Sequence, residues 1–310
     1  MDSSFLDKTR DYIMATMYSR RWIQVKEMFT EYPDSDGSYW ILGQHYNDLS
    51  FLEDLKTRPW FTYRYGFPII SGYATDSGWG CMVRVGQSLL ANAFIILALG
   101  RDWKLSDSPK YVDIMSKFLD TEGNEFSLHN IVLTGQKECL KPIGEWFGTH
   151  TIAMALKHLV NSNPGPFRVY VATDGTVYDH EIKEFPLLIL IPLRLGLHVI
   201  PVENYEHIKG CLKLPWCNGI AGGKPNSALF FVGFQDDKLI YLDPHTSQDV
   251  VPIDHLSFKS FSTYQVDTTK PSHKIPISQL DPNLLLSFIV HSRSDYEELL
   301  KAFSELVSIY

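Results

Sequence analysis

The segment Thr75-Asp-Ser-Gly-Trp-Gly-Cys81-Met-Val-Arg84 sets a cysteine directly behind two glycines and at the head of an apolar run reaching Leu99. Glycines 78 and 80 let the chain turn tightly and let a second main chain pass close to the sulfur. A thiol at the first turn of a helix meets unpaired N–H groups and the positive end of the dipole, which favour the thiolate. The same amides can donate to an oxyanion. That setting suits a nucleophile, although a free cysteine is most often a small buried hydrophobe. Cys139, Cys211 and Cys217 lack the setting and read as structural.

A nucleophilic thiol needs a base. Among eleven histidines, His245 in Asp243-Pro-His245 is the best placed, because the tripeptide directly follows the apolar stretch Leu239–Leu242. Residues two apart on an extended backbone face the same way, and Pro244 stiffens the link. Asp243 can hold one imidazole nitrogen while the other faces a thiol from elsewhere. Asp179-His180 and Asp254-His255 are adjacent pairs that point to opposite sides and fit the task less well. The competing reading of Asp-Pro-His is a solvated turn, and residue types alone leave both open.

Gly219–Ser227 suggests a phosphate loop, but Asn218 stands where the first glycine is needed and Pro225 follows Lys224. A hairpin lead-in and a mobile loop over a site both remain. Tyr296-Glu-Glu-Leu299 and Phe303-Ser-Glu-Leu306 match an aromatic-x-x-aliphatic peptide motif. Both fall on the stripe of an amphipathic helix, so the core is the expected place for them. No CxxC pair or His-Cys cluster has metal-ligand spacing, so no metal or other cofactor is expected.

The elements that must carry these residues are legible in outline. A helical pattern covers Met1 to about Glu31, and Tyr32–Ser38 reads as a loop. Aromatic-rich Trp60–Tyr65 precedes a turn-rich stretch from Gly66 to Gly80. Met82–Leu99 is apolar nearly all round and stops at Gly100, which predicts a buried central helix. A second helix is predicted over Gly144–Val160, and strands over Val169–Ala172 and Leu187–Ile191. Ala228–Phe234 and Leu239–Leu242 flank a turn as a β-hairpin. A last helix opens on a Ser294-x-x-Glu297 capping box and buries Leu299, Leu300, Phe303, Leu306 and Val307. Early helices, later strands and no βαβ alternation predict an α+β fold with an antiparallel sheet.

Composition bounds the rest. The 310 residues suffice for one large domain or two small ones, and 45% hydrophobic with 21% charged residues excludes wholesale disorder. A net charge of -8 offers no footprint for nucleic acid and no general attraction to anionic lipid. Neither Ala91–Leu99 nor Phe185–Leu193 approaches the ~20 residues of a membrane span. The N-terminus carries no secretory pattern, so a soluble cytoplasmic protein with reduced thiols is expected, Cys211 and Cys217 included.

Gly78-Trp-Gly-Cys81-Met and Tyr241-Leu-Asp-Pro-His-Thr246 together resemble the autophagin family of cysteine peptidases. The resemblance runs in order through Tyr39–Gly43, Trp60-Phe-Thr-Tyr63-Arg, Leu99–Trp103, Ile143-Gly-Glu-Trp146, Ile191–Gly196 and Gly222–Ala228. It implies a papain-like fold: an antiparallel sheet packed on a central helix led by the cysteine, with a small accessory subdomain within about 105–190. It implies Cys81 as nucleophile, His245 as base, Asp243 as its orienting acid, and Tyr63 as an oxyanion donor beside the Cys81 amide. Trp146 and the loop Lys224-Pro225-Asn226-Ser227 match the substrate groove and the gate that closes over it.

Members of that family cut the ubiquitin-like modifier of autophagy after a glycine, and release the same glycine from phosphatidylethanolamine. The expected partner is therefore that modifier, as precursor and as lipid conjugate, met by a monomer acting peripherally at membranes. Some members carry a modifier-docking motif in a tail beyond the catalytic domain; with the sequence ending at Tyr310, such docking is not expected. Some carry a second cysteine one turn after the nucleophile, where Val85 stands here, so redox control through that partner is not expected. The rivals are a catalytically silent modifier-binding protein and an acyl-transfer enzyme of small amides. Intact Cys81, Asp243, His245 and Tyr63 oppose the first, and the breadth of the resemblance opposes the second.

Overall fold

The computed structural model describes residues 30–31, 37–269 and 272–307. The helix expected over Met1–Glu31 lies outside them, except that Thr30–Glu31 form a short strand, β1, instead. Most of the loop expected over Tyr32–Ser38 also lies outside the described residues. Strands β2 (Tyr39–Ile41) and β3 (Gln44–Tyr46) precede helix α1 (Phe51–Leu55). Strands β4 (Tyr63–Ile70) and β5 (Tyr73–Thr75) then lead into α2 (Cys81–Leu99). Helices α3 (Pro109–Ser116), α4 (Leu128–Cys139) and α5 (Thr149–Asn161) follow. Next come β6 (Arg168–Val171), β7 (Leu187–Arg194) and α6 (Tyr205–Lys213). The rest is β8 (Cys217–Lys224), β9 (Ser227–Gln235), β10 (Lys238–Leu242), β11 (Ser247–Asp249), β12 (Ser272–Pro276), β13 (Asn283–Val290) and α7 (Arg293–Val307).

The main sheet runs β1-β12-β10-β9-β8-β13-β7-β6, with the β2–β3 hairpin attached beside β9. Its ladders are antiparallel apart from β6–β7. The α+β expectation therefore holds. A second sheet joins β11, β4 and β5, with β11 parallel to β4. Gly66 to Gly80 is less turn-like than its sequence suggests, because it completes β4 and forms β5. The ladder between them is irregular, and left-handed Gly66 and Gly72 sit inside a bulged hairpin.

Helix α2 is the pivot of the molecule. It is buried without interruption from Cys81 to Ile96 and packs on β8, β9 and the helices α3–α5. Among the described residues it alone is long and apolar enough to cross a membrane, yet 83% of that stretch is buried inside the protein. Each fully buried Leu, Ile or Phe stabilises the fold by roughly 1.5–3 kcal/mol, so this helix is held fast. Asn92 adds a polar pin: its Nδ2 donates to Asn218 Oδ1 at 2.9 Å, and Asn218 returns a bond to the Leu89 carbonyl at 2.9 Å.

Two helix starts differ from expectation. α5 begins at Thr149, because Gly144 is left-handed (φ 89°) and Gly148 is extended. α7 is capped by Ser292, whose Oγ accepts from the Asp295 amide at 3.2 Å, while Asp295 accepts from the His291 amide. Glu297 is instead bonded to Arg293. Tyr296 and Leu299 are fully buried and Leu300, Phe303 and Leu306 pack partly against the core, so the peptide-like motifs on this helix are packing. All four cysteines are free thiols, and burial pushes those of Cys211 and Cys217 up to about 12.

Candidate active site

The turn that delivers Cys81 is built on Asp76. Its carbonyl accepts from the amides of Trp79 at 3.1 Å and Gly80 at 2.9 Å, and Gly78 turns through φ 89°. A Cβ on Gly80 would lie 2.5 Å from the Asp76 carboxylate, so any side chain there must push that carboxylate aside. The helix starts at the next residue, and Cys81 is 3% exposed.

Asp243-Pro-His245 arrives from the end of β10. Tyr63 donates its amide to the Pro244 carbonyl at 2.9 Å, and the Trp60 indole donates to the Asp243 carbonyl at 2.7 Å. Asp243 Oδ1 accepts from the His245 amide at 3.0 Å and from His245 Nδ1 at 2.7 Å. A carboxylate only accepts, so Nδ1 carries the proton and Nε2 is the nitrogen presented to the sulfur. Burial alone would raise the Cys81 thiol, but a hydrogen bond and charge from His245, the Ala228 amide and Tyr63 hold it below its ordinary value. Burial opposes a charge on His245, yet Asp243 and Cys81 raise it to about 9. The pair therefore favours thiolate and imidazolium, the charge state of an activated cysteine nucleophile.

Tyr63, at the head of β4, stands edge-on to His245 with ring centroids 5.4 Å apart. Its hydroxyl reaches Cys81 and takes a main-chain bond from Gly78. Burial, then the neighbouring negative charge, pushes it well above its ordinary value, so it stays a protonated donor. The protonated phenol and the N-terminal amides of α2 are the donors an oxyanion would need here.

A cleft of about 470 Å³ opens over the sulfur, lined by Cys81, Trp146, His150, Asp281 and the segment from Gly222 to Ala228. Trp146 is 44% exposed and donates its indole N–H to the Gly78 carbonyl at 2.6 Å. Across from it, Lys224 pairs with Ser227 around a two-residue turn, with Pro225 at the first corner and left-handed Asn226 (φ 63°) at the second. Gly219–Ser227 is thus both a hairpin lead-in and a wall of the cleft. Gly222 leaves no room for a side chain, because its Cβ would meet Leu284 at 2.4 Å.

Cys81, His245, Asp243 and Tyr63 meet at one buried point, and Trp146 with Lys224–Ser227 lines the cleft above it. The rejected pairs lie elsewhere: Asp179 bonds Arg293 at 2.6 Å, and His255 is an exposed left-handed residue. Sequence reasoning missed the Trp60 clasp on Asp243, the Ala228 amide and the ionic cluster of Asp76, Arg84 and Asp120. Arg84, Gln87 and Asn92 inside an apolar helix were the one signal of buried polar partners. Among the described residues, no three His, Cys, Asp or Glu side chains group as a metal site.

Comparison with known proteins adds an independent line. The family described as peptidase C54 catalytic domain matches residues 48–302. Cysteine protease ATG4B of Xenopus laevis is 35% identical over 308 residues, covering 86% of this chain and 79% of that protein. Cysteine protease ATG4A of Mus musculus is 34% identical over 324 residues, covering 90% and 81%. Cysteine protease ATG4A of Homo sapiens is 35% identical over 314 residues, covering 86% and 78%.

Proposed function

This chain belongs to the peptidase C54 family of cysteine-type peptidases, and we propose that it cuts the ubiquitin-like modifier of autophagy after a C-terminal glycine. Two substrates share that bond: the precursor with its C-terminal extension, and the modifier joined to phosphatidylethanolamine. Both scissile bonds are amides of the same glycine carbonyl, so one thioester route serves both. The Cys81 thiolate attacks the carbonyl, and the oxyanion takes hydrogen bonds from Tyr63 and the Cys81 amide. His245 gives its proton to the leaving amine as the C–N bond breaks. A water deprotonated by His245 then opens the thioester and restores the thiol. Asp243 holds the imidazole in the required tautomer throughout.

The observation that carries this reading is the buried line Cys81–His245–Asp243 at the foot of a cleft walled by Trp146 and bare backbone at Gly222 and Gly223. Such walls favour a substrate residue with no side chain. The monomer would act in the cytoplasm and at membrane surfaces without spanning them. The test uses the precursor and, separately, the lipid conjugate on liposomes, each weighed intact after incubation. Products ending in glycine are expected from both. Binding of the modifier with neither form cut would leave a silent binding protein, and cleavage of the precursor alone would remove the delipidating role.

A further inference from the structure

We propose that Asp76 is the positioning residue of the oxyanion site, fixing the distance between the Tyr63 hydroxyl and the Cys81 amide. The inference rests on the catalytic reading above. Asp76 is fully buried and spends both main-chain groups and both carboxylate oxygens on the supports of those two donors. Toward Tyr63, its Oδ1 accepts from the Arg64 amide at 2.7 Å, and its own amide donates to the Arg64 carbonyl at 3.3 Å. Toward Cys81, its carbonyl accepts from Trp79 and Gly80, the two residues before the thiol. From beyond Cys81, Arg84 Nε donates to Oδ2 at 2.7 Å and Arg84 Nη2 to Oδ1 at 3.1 Å. One side chain therefore grips the residue after Tyr63 and the helix turn that carries Cys81.

A buried ion pair contributes little net stability compared with apolar packing, so holding the fold together is a weak reason for this arrangement. Positioning is a better one, since donors must sit within about 0.5 Å of their productive geometry. The molecule contains its own control. Asp120 also pairs with Arg84, through Nη1 at 2.7 Å, but among the described residues that is its one tie to the Cys81 helix, and it has no hydrogen bond to β4 or to the residues from Asp76 to Gly80. Two carboxylates share one guanidinium, and only one of them ties the oxyanion donors together.

The experiment compares Asp76→Asn with Asp120→Asn in the full chain, since each takes one charge from Arg84. Three quantities are read: kcat and KM on the modifier precursor, the acylation burst with the p-nitrophenyl ester of N-acetylglycine, and the pH profile of Cys81 alkylation by iodoacetamide. Alkylation forms no oxyanion. A displacement near 1 Å costs about a hundredfold, so Asp76→Asn is expected to lose about 10- to 100-fold in kcat and in burst rate. Its KM and alkylation profile should stay as in the wild type. Asp120→Asn should keep kcat within about threefold, because Asp120 reaches the Cys81 helix only through Arg84, which Asp76 still holds at two atoms, and it makes no bond to β4. Equal losses in the two variants, or alkylation falling in step with acylation, would overturn the inference. The ester keeps the two claims apart: a wild type that is acylated but leaves the modifier uncut refutes the proposed substrate, while the ester still judges Asp76. If Asp76→Asn does not fold, Gly80→Ala carries the test with every charge kept, by driving a Cβ against the carboxylate. Unchanged acylation in that variant would also sink the proposal.

Discussion

The floor and the cover of the cleft are fastened in different ways. On the floor, His245, Asp243, Tyr63 and Asp76 are all nearly inaccessible. Asp243 and Tyr63 are tied across the chain to Trp60 and Pro244, His245 is held by Asp243, and Asp76 bonds Arg64 and Arg84. On the cover, Trp146 is half in solvent and bonded through its indole to Gly78, and the facing wall is a two-residue turn at the tip of a hairpin. Bond making needs a geometry that does not drift, whereas admission of a substrate tail needs a wall that yields. With Cys81 only 3% exposed, the proposed substrate tail would have to displace a wall to reach the sulfur, and the cover is the wall with fewer fastenings.

The comparison breaks outright if floor substitutions are tolerated. Cys81→Ser should lower cleavage by at least about 10⁴-fold with folding and modifier binding intact, because a hydroxyl is a far poorer nucleophile in this setting. Turnover within tenfold of the wild type, read by intact mass of the product, would move the nucleophile elsewhere.

Asp243→Asn should come next, with kcat down roughly 10²–10⁴-fold and the fold unchanged. It also carries a pH signature. His245 binds its proton up to about 9, so the imidazolium needed by the leaving amine is present below that pH and lost above it. Wild-type turnover should therefore fall as pH rises through about 9. The linked stability has the same sign: it is full below the unfolded histidine value of about 6.5 and lost as pH rises through the folded one. Without the Asp243 charge, the alkaline limb should move to lower pH. A limb that stays near 9 in the variant would mean that Asp243 does not hold the imidazole.

The floor was the more legible half from sequence, because its chemistry is local. Gly-Trp-Gly-Cys81 needs one turn and one helix start, and Asp243-Pro-His245 needs one extended backbone. What joins them was not legible, since Trp60 meets Asp243 across 183 positions and Arg84 meets Asp120 across 36. Neither pairing leaves any periodicity along the chain. Errors in element boundaries have the same cause on a smaller scale. Ser294 carries the capping-box spacing, yet the contacts of Asp295 with the Ser292 hydroxyl and the His291 amide set the helix start two residues earlier. The cover was legible only by resemblance, because an exposed tryptophan and a Pro-Asn turn have many uses.

Trp146→Ala sharpens the comparison from the side of the cover. It removes one wall of the groove, which eases entry but loosens the alignment of the scissile bond. Misalignment should win, with cleavage slowed about a hundredfold for a displacement near 1 Å. Alkylation of Cys81 by a small reagent needs entry alone and should proceed at least as fast as in the wild type. Slow alkylation with normal proteolysis would make Trp146 a packing residue.

Pro225→Ala should have the smallest effect, and the reason lies in what the residue contributes. Proline at the first corner presets one dihedral of the turn, and Lys224 and Ser227 remain paired around it. Replacing it enlarges the range open to the lifted turn more than it alters the seated one. Substitutions of this kind shift an equilibrium by about 0.4–1 kcal/mol, which is about two- to fivefold. The floor is untouched, so the gain should appear as a rise of that size in Cys81 alkylation at an unchanged pH dependence. Cleavage should change by less than about threefold, because easier entry is offset by a less ordered wall in the bound state. An altered alkylation pH profile would show that the turn and the thiol–imidazole pair are mechanically joined, and the division between floor and cover would fail.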